Sequence, residues 1–257
     1  MALEFRACSG AITADVDLPE VGELDLPAQI AGIDADEVTL VTMTIGGNDE
    51  AFSRVVQNCF FFEDCVNAYF EPPTQPAGRR RVIFPGKEPL RLWATDALQL
   101  LQVNLDRVYA ELRTTFPNAR IVVIGYPYLF PSGPAPLWQK DCGIVLRRVD
   151  EQEREALREA TDTLNKEIFQ QAVRAGLEYV SPTEAWIDHE PCGKAGQYTN
   201  AVKPFGESIL DGGSFHPNAQ GQRMIARLVS CYLNATPDRP AAQPDPPDDV
   251  PVSPACP

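Results

Sequence analysis

No apolar run in the chain approaches the roughly 20 residues that a membrane-spanning helix needs, so no integral membrane segment is expected. Basic residues are scarce: 22 Lys and Arg face 36 Asp and Glu, giving a formal net charge of −14 and a pI near 4.6. Nucleic-acid binding needs clustered basic side chains. No nucleic-acid partner is therefore expected, and the same charge disfavours tight binding to an anionic membrane. Histidine occurs twice, neither time in a ligand spacing, and Cys-x-x-Cys is absent; the pattern offers neither a metal site nor a cofactor site. Met1-Ala-Leu-Glu-Phe-Arg6 has no apolar h-region and does not read as a signal peptide. Internal repeats are absent as well.

What is present suits one domain with a tail. The 257 residues, 44% of them apolar, can bury a substantial core. Residues 1–235 read as that domain. Residues 236–257, a Pro/Asp-rich stretch unable to bury a core, read as a disordered tail. Seven cysteines are many for a reducing compartment. The economical reading is a secreted protein whose export signal is absent from this chain. Cys59 and Cys65, six apart, could close a small loop.

The chain is organised around Thr39-Leu-Val-Thr-Met-Thr-Ile-Gly-Gly-Asn-Asp49. A β-branched run of this density reads as a strand covered on both faces. Gly46 and Gly47 then permit a tight turn or a close approach of backbone to ligand at the strand's carboxyl end, where ligands bind in open α/β sheets. Asn48 would project a neutral N–H donor there, suited to a developing oxyanion. The competing reading is an ordinary turn, since Asn and Asp both form turns.

Taken in order, residues 2–8 form a strand candidate and Ser9-Gly10-Ala11 a turn; Pro27 to Ile33 form a short helix candidate. Phe52 to Phe70 is aromatic, either a disulfide-tied lid or a helical excursion, and residues 71–89 read as loop. Leu98, Leu101, Leu105, Val108 and Leu112 recur at helical steps and predict a helix over 92–116. Residues 119–125 predict a further buried strand. Leu157, Ala160, Leu164, Ile168 and Ala172 stripe a long helix over 146–175, with Gly176 at its C-cap. A strand over 177–180 and a last helix from Asn218 to about Leu233 complete the pattern. Helices alternating with apolar strands imply crossover units and a mostly parallel sheet.

His216 stands in a glycine-rich loop directly before that last helix, with Pro217 and Asn218 at helix-start positions. A positive helix end disfavours imidazolium and helps keep the ring neutral as a general base. The alternative is a surface-loop histidine.

Three stretches now become recognisable. Ala7-Cys-Ser-Gly-Ala11, Ile45-Gly-Gly-Asn-Asp49 and Ser214-Phe-His-Pro-Asn-Ala-Gln-Gly221 resemble the second, third and fifth sequence blocks of the SGNH (GDSL-type) hydrolases. The likeness is strongest to secreted actinobacterial esterases, lipases and phospholipases. Val122-Val-Ile-Gly-Tyr-Pro127 and His189-Glu-Pro-Cys-Gly193 resemble further stretches of that subgroup, and the resemblance spans about residues 2–234.

The resemblance implies a three-layer α/β/α fold with a parallel sheet. It implies carboxylic-ester hydrolysis through an acyl-serine, on a small-molecule or lipid ester, with the Gly10 N–H and the Asn48 amide as oxyanion donors and His216 as the base. Two departures matter. Many members carry Asp three residues before the histidine, where this chain has Gly213. In the actinobacterial subgroup a backbone carbonyl orients the histidine; Ser214 supplies the matching carbonyl, with Asp211 as the alternative. The family's first block, a strand ending in Gly-Asp-Ser, supplies the nucleophile and is absent from this chain. The expectation is therefore a domain lacking its first strand, inactive as it stands. Ser9 lies near a matching block but belongs to the glycine turn, and no Gly-x-Ser-x-Gly elbow exists to support an α/β-hydrolase triad. A non-catalytic relative that binds acylated lipid or carbohydrate is the alternative, though a binding role gives no reason to keep both Asn48 and His216.

His189, beside Cys192, is expected in a structural or substrate-rim role. The subgroup likeness suggests a Cys142–Cys192 bridge, and Cys256 in the tail is the candidate partner for Cys231 at the end of the last helix. An odd count leaves one thiol over. Cys8 is expected to be that thiol, because the matching cysteine of the resembling enzymes bonds to the segment missing here.

Overall fold

The computed structural model describes residues 3–19, 26–72, 86–133, 149–200 and 215–237. Its centre is a three-stranded, wholly parallel sheet of β1 (Leu40–Met43), β4 (Arg120–Ile124) and β5 (Glu178–Val180), in that order. The connections between these strands carry α2 (Phe52–Phe61), α3 (Leu90–Thr115) and α4 (Glu151–Arg174), and α6 (Ala219–Ala235) follows β5. A two-stranded antiparallel ribbon, β2 (Tyr69–Phe70) with β3 (Glu88–Pro89), leads into α3. Two one-turn helices, α1 (Ala14–Asp17) and α5 (Thr183–Trp186), and a 3-10 turn (Ala35–Glu37) just before β1 are also formed.

Side chains alternate across a strand, and β4 shows both faces of the sheet in use. Ile121 and Val123 enter a cluster with Leu101, Leu105, Val108 and Leu112 of α3 and Ile168 and Ala172 of α4. Val122, between them, points the other way and packs with Leu228 and Tyr232 of α6. In β5, Tyr179 joins the first cluster and Val180 the second. Helices therefore cover both faces, and the three-layer α/β/α arrangement is observed. β1 has a neighbour on one side only among the described residues, and its Thr42 is exposed.

The long helices begin and end for identifiable reasons. Asp150 caps α4 and forms a capping box with Glu153, whose carboxylate also accepts from the Cys65 N–H at 2.8 Å. Asn218 caps α6 by accepting from the Gln220 and Gly221 N–H groups. Across the sheet Arg120 donates to both carboxylate oxygens of Glu178, at 2.8 and 2.5 Å, and to Thr236 beyond α6. The bidentate pair ties two strands and the last helix together.

Two expected elements are corrected. Residues 3–8 form no strand; Leu3 and Phe5 are 86% and 78% exposed. A strand persists only when it is paired and one face is covered, and neither condition is met. Residues 27–33 form turns rather than a helix, with Gly32 at φ +71°. Seven residues are too few to offset helix nucleation, although Ile30 and Ile33 still pack against the main cluster. Of the open alternatives for 52–70, the helical excursion is the one observed, with Cys59–Cys65 bridged beneath it. Most of the expected tail, from residue 238 on, lies outside the described residues.

Candidate active site

Beyond β1 the chain enters the turn that holds Asn48. Gly46 adopts φ +109°, open to glycine at little cost, and its position faces Leu101 closely. The turn closes through bonds from the Glu50 N–H to Gly46, from Ala51 to Asn48 and from Phe52 to Gly47. Ala51, at φ +47°, then launches α2. Asn48 is exposed at the sheet's carboxyl end.

The Asn48 side chain is fixed by one of its own donors. Nδ2 donates to the Ala11 carbonyl at 3.0 Å, leaving the second N–H of the amide to point outward. Ala11 follows Gly10, whose φ of +78° only glycine adopts readily and whose surroundings are open. The structure thus brings Gly10 and Asn48 together.

A second contact, not anticipated from sequence, reinforces the first. Asp49 is 4% exposed, and its carboxylate accepts from the Thr13 N–H at 2.9 Å and the Thr13 hydroxyl at 2.7 Å. Residues 48 and 49 therefore strap residues 11 and 13. Burial pushes the Asp49 carboxyl up to about 6 against the pull of the Thr13 hydrogen bonds. Glu50 beside it is pushed up to about 8, by burial first and by Asp49 second. The only sequence signal for this strap is an acid following an apolar run; its partner is 36 residues away.

His216 is exposed two residues before the cap of α6. The loop is held by reciprocal bonds with Asn200, which donates to the His216 carbonyl at 2.9 Å and accepts from the Phe215 N–H at 3.2 Å. Asn218 Nδ2 donates to Gln197 at 2.7 Å. Gly221 is required here, since a Cβ would lie 2.1 Å from the Tyr198 carbonyl. Phe215 adopts φ +61°, a costly conformation for an aromatic residue. Its ring is buried against Phe130, centroids 5.6 Å apart, in a cluster that also holds Ala51 and Trp93. One apolar cluster thus anchors both the residue before His216 and the start of the helix after Asn48.

Ser214 and Asp211, the two candidates for orienting His216, lie outside the described residues. Ser9 stays in the exposed turn of Gly10. His189 is engaged structurally: Nδ1 lies 2.5 Å from the Gly196 carbonyl and the ring stacks on Tyr198 at 3.8 Å. No cluster of three metal-ligating side chains occurs among the described residues.

A helix-covered parallel sheet with an Asn turn and a histidine loop is the architecture of an SGNH-type hydrolase, and the comparisons agree. The GDSL-like Lipase/Acylhydrolase family matches residues 2–224. This chain belongs to that family. It is 27% identical over 221 residues to Lipase 1 of Streptomyces coelicolor, covering 85% of this chain and 65% of that protein. The lipase of Streptomyces rimosus is 27% identical over 218 residues, with the same coverages. The chain thus spans about two thirds of the length of these relatives. Among solved structures, phospholipase A1 from Streptomyces albidoflavus NA297 superposes with a TM-score of 0.60 at 27% identity, covering 84% of this chain and 73% of that one. The extracellular lipase of Streptomyces rimosus gives 0.59 at 25% identity, covering 85% and 74%.

Proposed function

We propose that this protein is a secreted carboxylic-ester hydrolase of the lipase type, acting on a lipid or small-molecule ester through an acyl-serine. The Gly10 N–H and the outward N–H of Asn48 hold the oxyanion, His216 is the general base, and the Ser214 carbonyl orients it. The observation that carries this reading is the Asn48–Ala11 hydrogen bond, which sets a neutral amide donor beside the Gly10 turn before any substrate arrives. Preorganised donors of this kind account for a large share of catalysis in acyl transfer. The relatives' names, lipase and phospholipase A1, point to lipid esters.

The nucleophile is the part this chain does not hold: it contains no Gly-Asp-Ser block. We place that serine on a strand joining the outer edge of β1, the edge without a neighbour among the described residues. Such an edge accepts a strand readily, because its backbone groups are unpaired.

The test is hydrolysis of p-nitrophenyl butyrate by three proteins. The 257-residue chain should be no faster than its His216→Ala variant. The chain extended upstream by an apolar strand ending in Gly-Asp-Ser should gain turnover, and lose it again with His216→Ala. Robust hydrolysis by the unextended chain, abolished by Ser9→Ala, would show the nucleophile to be misplaced. Binding of acylated ligand without turnover by the extended chain would favour a non-catalytic relative.

A further inference from the structure

The Asn48 turn is gripped by the Thr13–Asp49 strap and, one residue before Asn48, by a side chain nearly eighty positions away. The Gly47 N–H donates to the Tyr126 hydroxyl at 2.8 Å. The contact is tight: a Cβ at Gly47 would lie 2.9 Å from that oxygen and 3.0 Å from the ring carbon bearing it. Glycine at 47 is therefore required by Tyr126 rather than by its own backbone conformation.

Tyr126 is itself held at its backbone. It follows β4, and Asn165 of α4 bonds both of its main-chain groups: Oδ1 accepts from the Tyr126 N–H at 2.7 Å, and Nδ2 donates to its carbonyl at 2.8 Å. Asn165 is 2% exposed. A two-point amide clamp leaves the Tyr126 backbone little freedom. Gly125 lets the clamp form, since a Cβ there would lie 2.7 Å from Asn165 Oδ1 and 2.1 Å from the Tyr179 hydroxyl. Burial pushes the Tyr126 hydroxyl above its ordinary range, so it stays a neutral phenol that accepts from the amide.

The geometry points to Tyr126, clamped by Asn165, as a positioning residue that fixes the Asn48 donor through the Gly47 N–H. It touches no reacting atom. A free Gly47 amide would let the turn rotate and carry the Asn48 amide out of line, and a misplacement of about 1 Å in such a donor can cost up to about a hundredfold in rate. The inference rests on the proposed ester hydrolysis for its catalytic consequence, but not for its structural one.

The experiment uses Tyr126→Phe and Asn165→Ala, with Tyr128→Phe as control. Tyr128 loses a hydroxyl bonded to Asp162 at 2.7 Å, two residues along the same loop but away from the Asn48 turn. Amide hydrogen exchange by NMR on the 257-residue chain reads the structural arm. Tyr126→Phe should speed Gly47 exchange by roughly five- to tenfold, while Tyr128→Phe leaves it unchanged. In the chain extended with Gly-Asp-Ser, Tyr126→Phe should lower kcat by about tenfold with KM within about twofold, the pattern of a loss confined to the transition state. Asn165→Ala should follow the same direction in both readouts. Unchanged Gly47 exchange in a folded Tyr126→Phe variant would overturn the inference, and so would faster exchange with unaltered kcat. Absence of hydrolysis in every extended protein would instead overturn the proposed function, leaving the exchange result to decide whether Tyr126 fixes the turn.

Discussion

Asp49 shows how one buried side chain serves the site and taxes the fold. Its carboxylate straps Thr13 to the Asn48 turn, yet burial pushes it up to about 6 from its ordinary 3.8, and Glu50 up to about 8 from 4.5. A raised carboxyl in the folded state means that the fold holds protons which the unfolded chain has already released. Stability therefore falls as pH rises from about 4 towards 8 through these two groups, and returns on acidification. For Asp49 alone the difference of about two units corresponds to about 3 kcal/mol, present in full as a penalty above about pH 6 and relieved progressively as pH falls from there to about 4. Asp49→Asn keeps a group able to bond Thr13 and removes the titration. Urea midpoints measured from pH 4.5 to 7 should vary less steeply with pH in that variant, the share from Glu50 remaining; an unchanged slope would contradict the assignment. The Gly10 and Asn48 turns and the loop before the last helix were legible in sequence because each is a short contiguous stretch. The Thr13–Asp49 strap and the Tyr126–Gly47 contact were not, because each joins segments that only the folded sheet brings together.

At the scale of elements, β4, β5 and the three long helices follow their sequence periodicity closely, since each buries one well-marked stripe or run. The strand expected at 2–8 and the helix expected at 27–33 failed for a common reason. Short segments carry too little local preference to form without partners, and sequence does not say whether a partner is there. The loop before α6 exemplifies structure imposed from outside: Phe215 accepts a left-handed backbone because its ring is buried against Phe130. Phe215→Ala should cost about 3–5 kcal/mol by urea unfolding, as expected for a buried aromatic truncated to alanine. A loss under about 1 kcal/mol would show that the ring does not anchor the His216 loop.

At the scale of the whole molecule, the cysteines divide into bridged and free. Cys59 bonds Cys65, and Cys192 and Cys231 are each disulfide-bonded. Cys142 and Cys256, the partners expected from sequence, lie outside the described residues. Cys8 is free and exposed, as the family resemblance implied for the odd cysteine. Titration of the native chain with an aromatic disulfide should release one thiol equivalent, lost in Cys8→Ser. Two or more equivalents, or none, would contradict this map. The same exposed stretch flanks the Gly10 turn. The central proposal is that Gly10, Asn48 and His216 form one site, completed by a serine. The most direct test is a crystal structure of the Gly-Asp-Ser-extended chain after reaction with an aryl phosphonate. The account predicts phosphorus on the supplied serine, with the phosphoryl oxygen within about 3 Å of both the Gly10 nitrogen and Asn48 Nδ2, and His216 beside the serine oxygen. Phosphorus on Ser9, or a phosphoryl oxygen held away from Asn48, would contradict it.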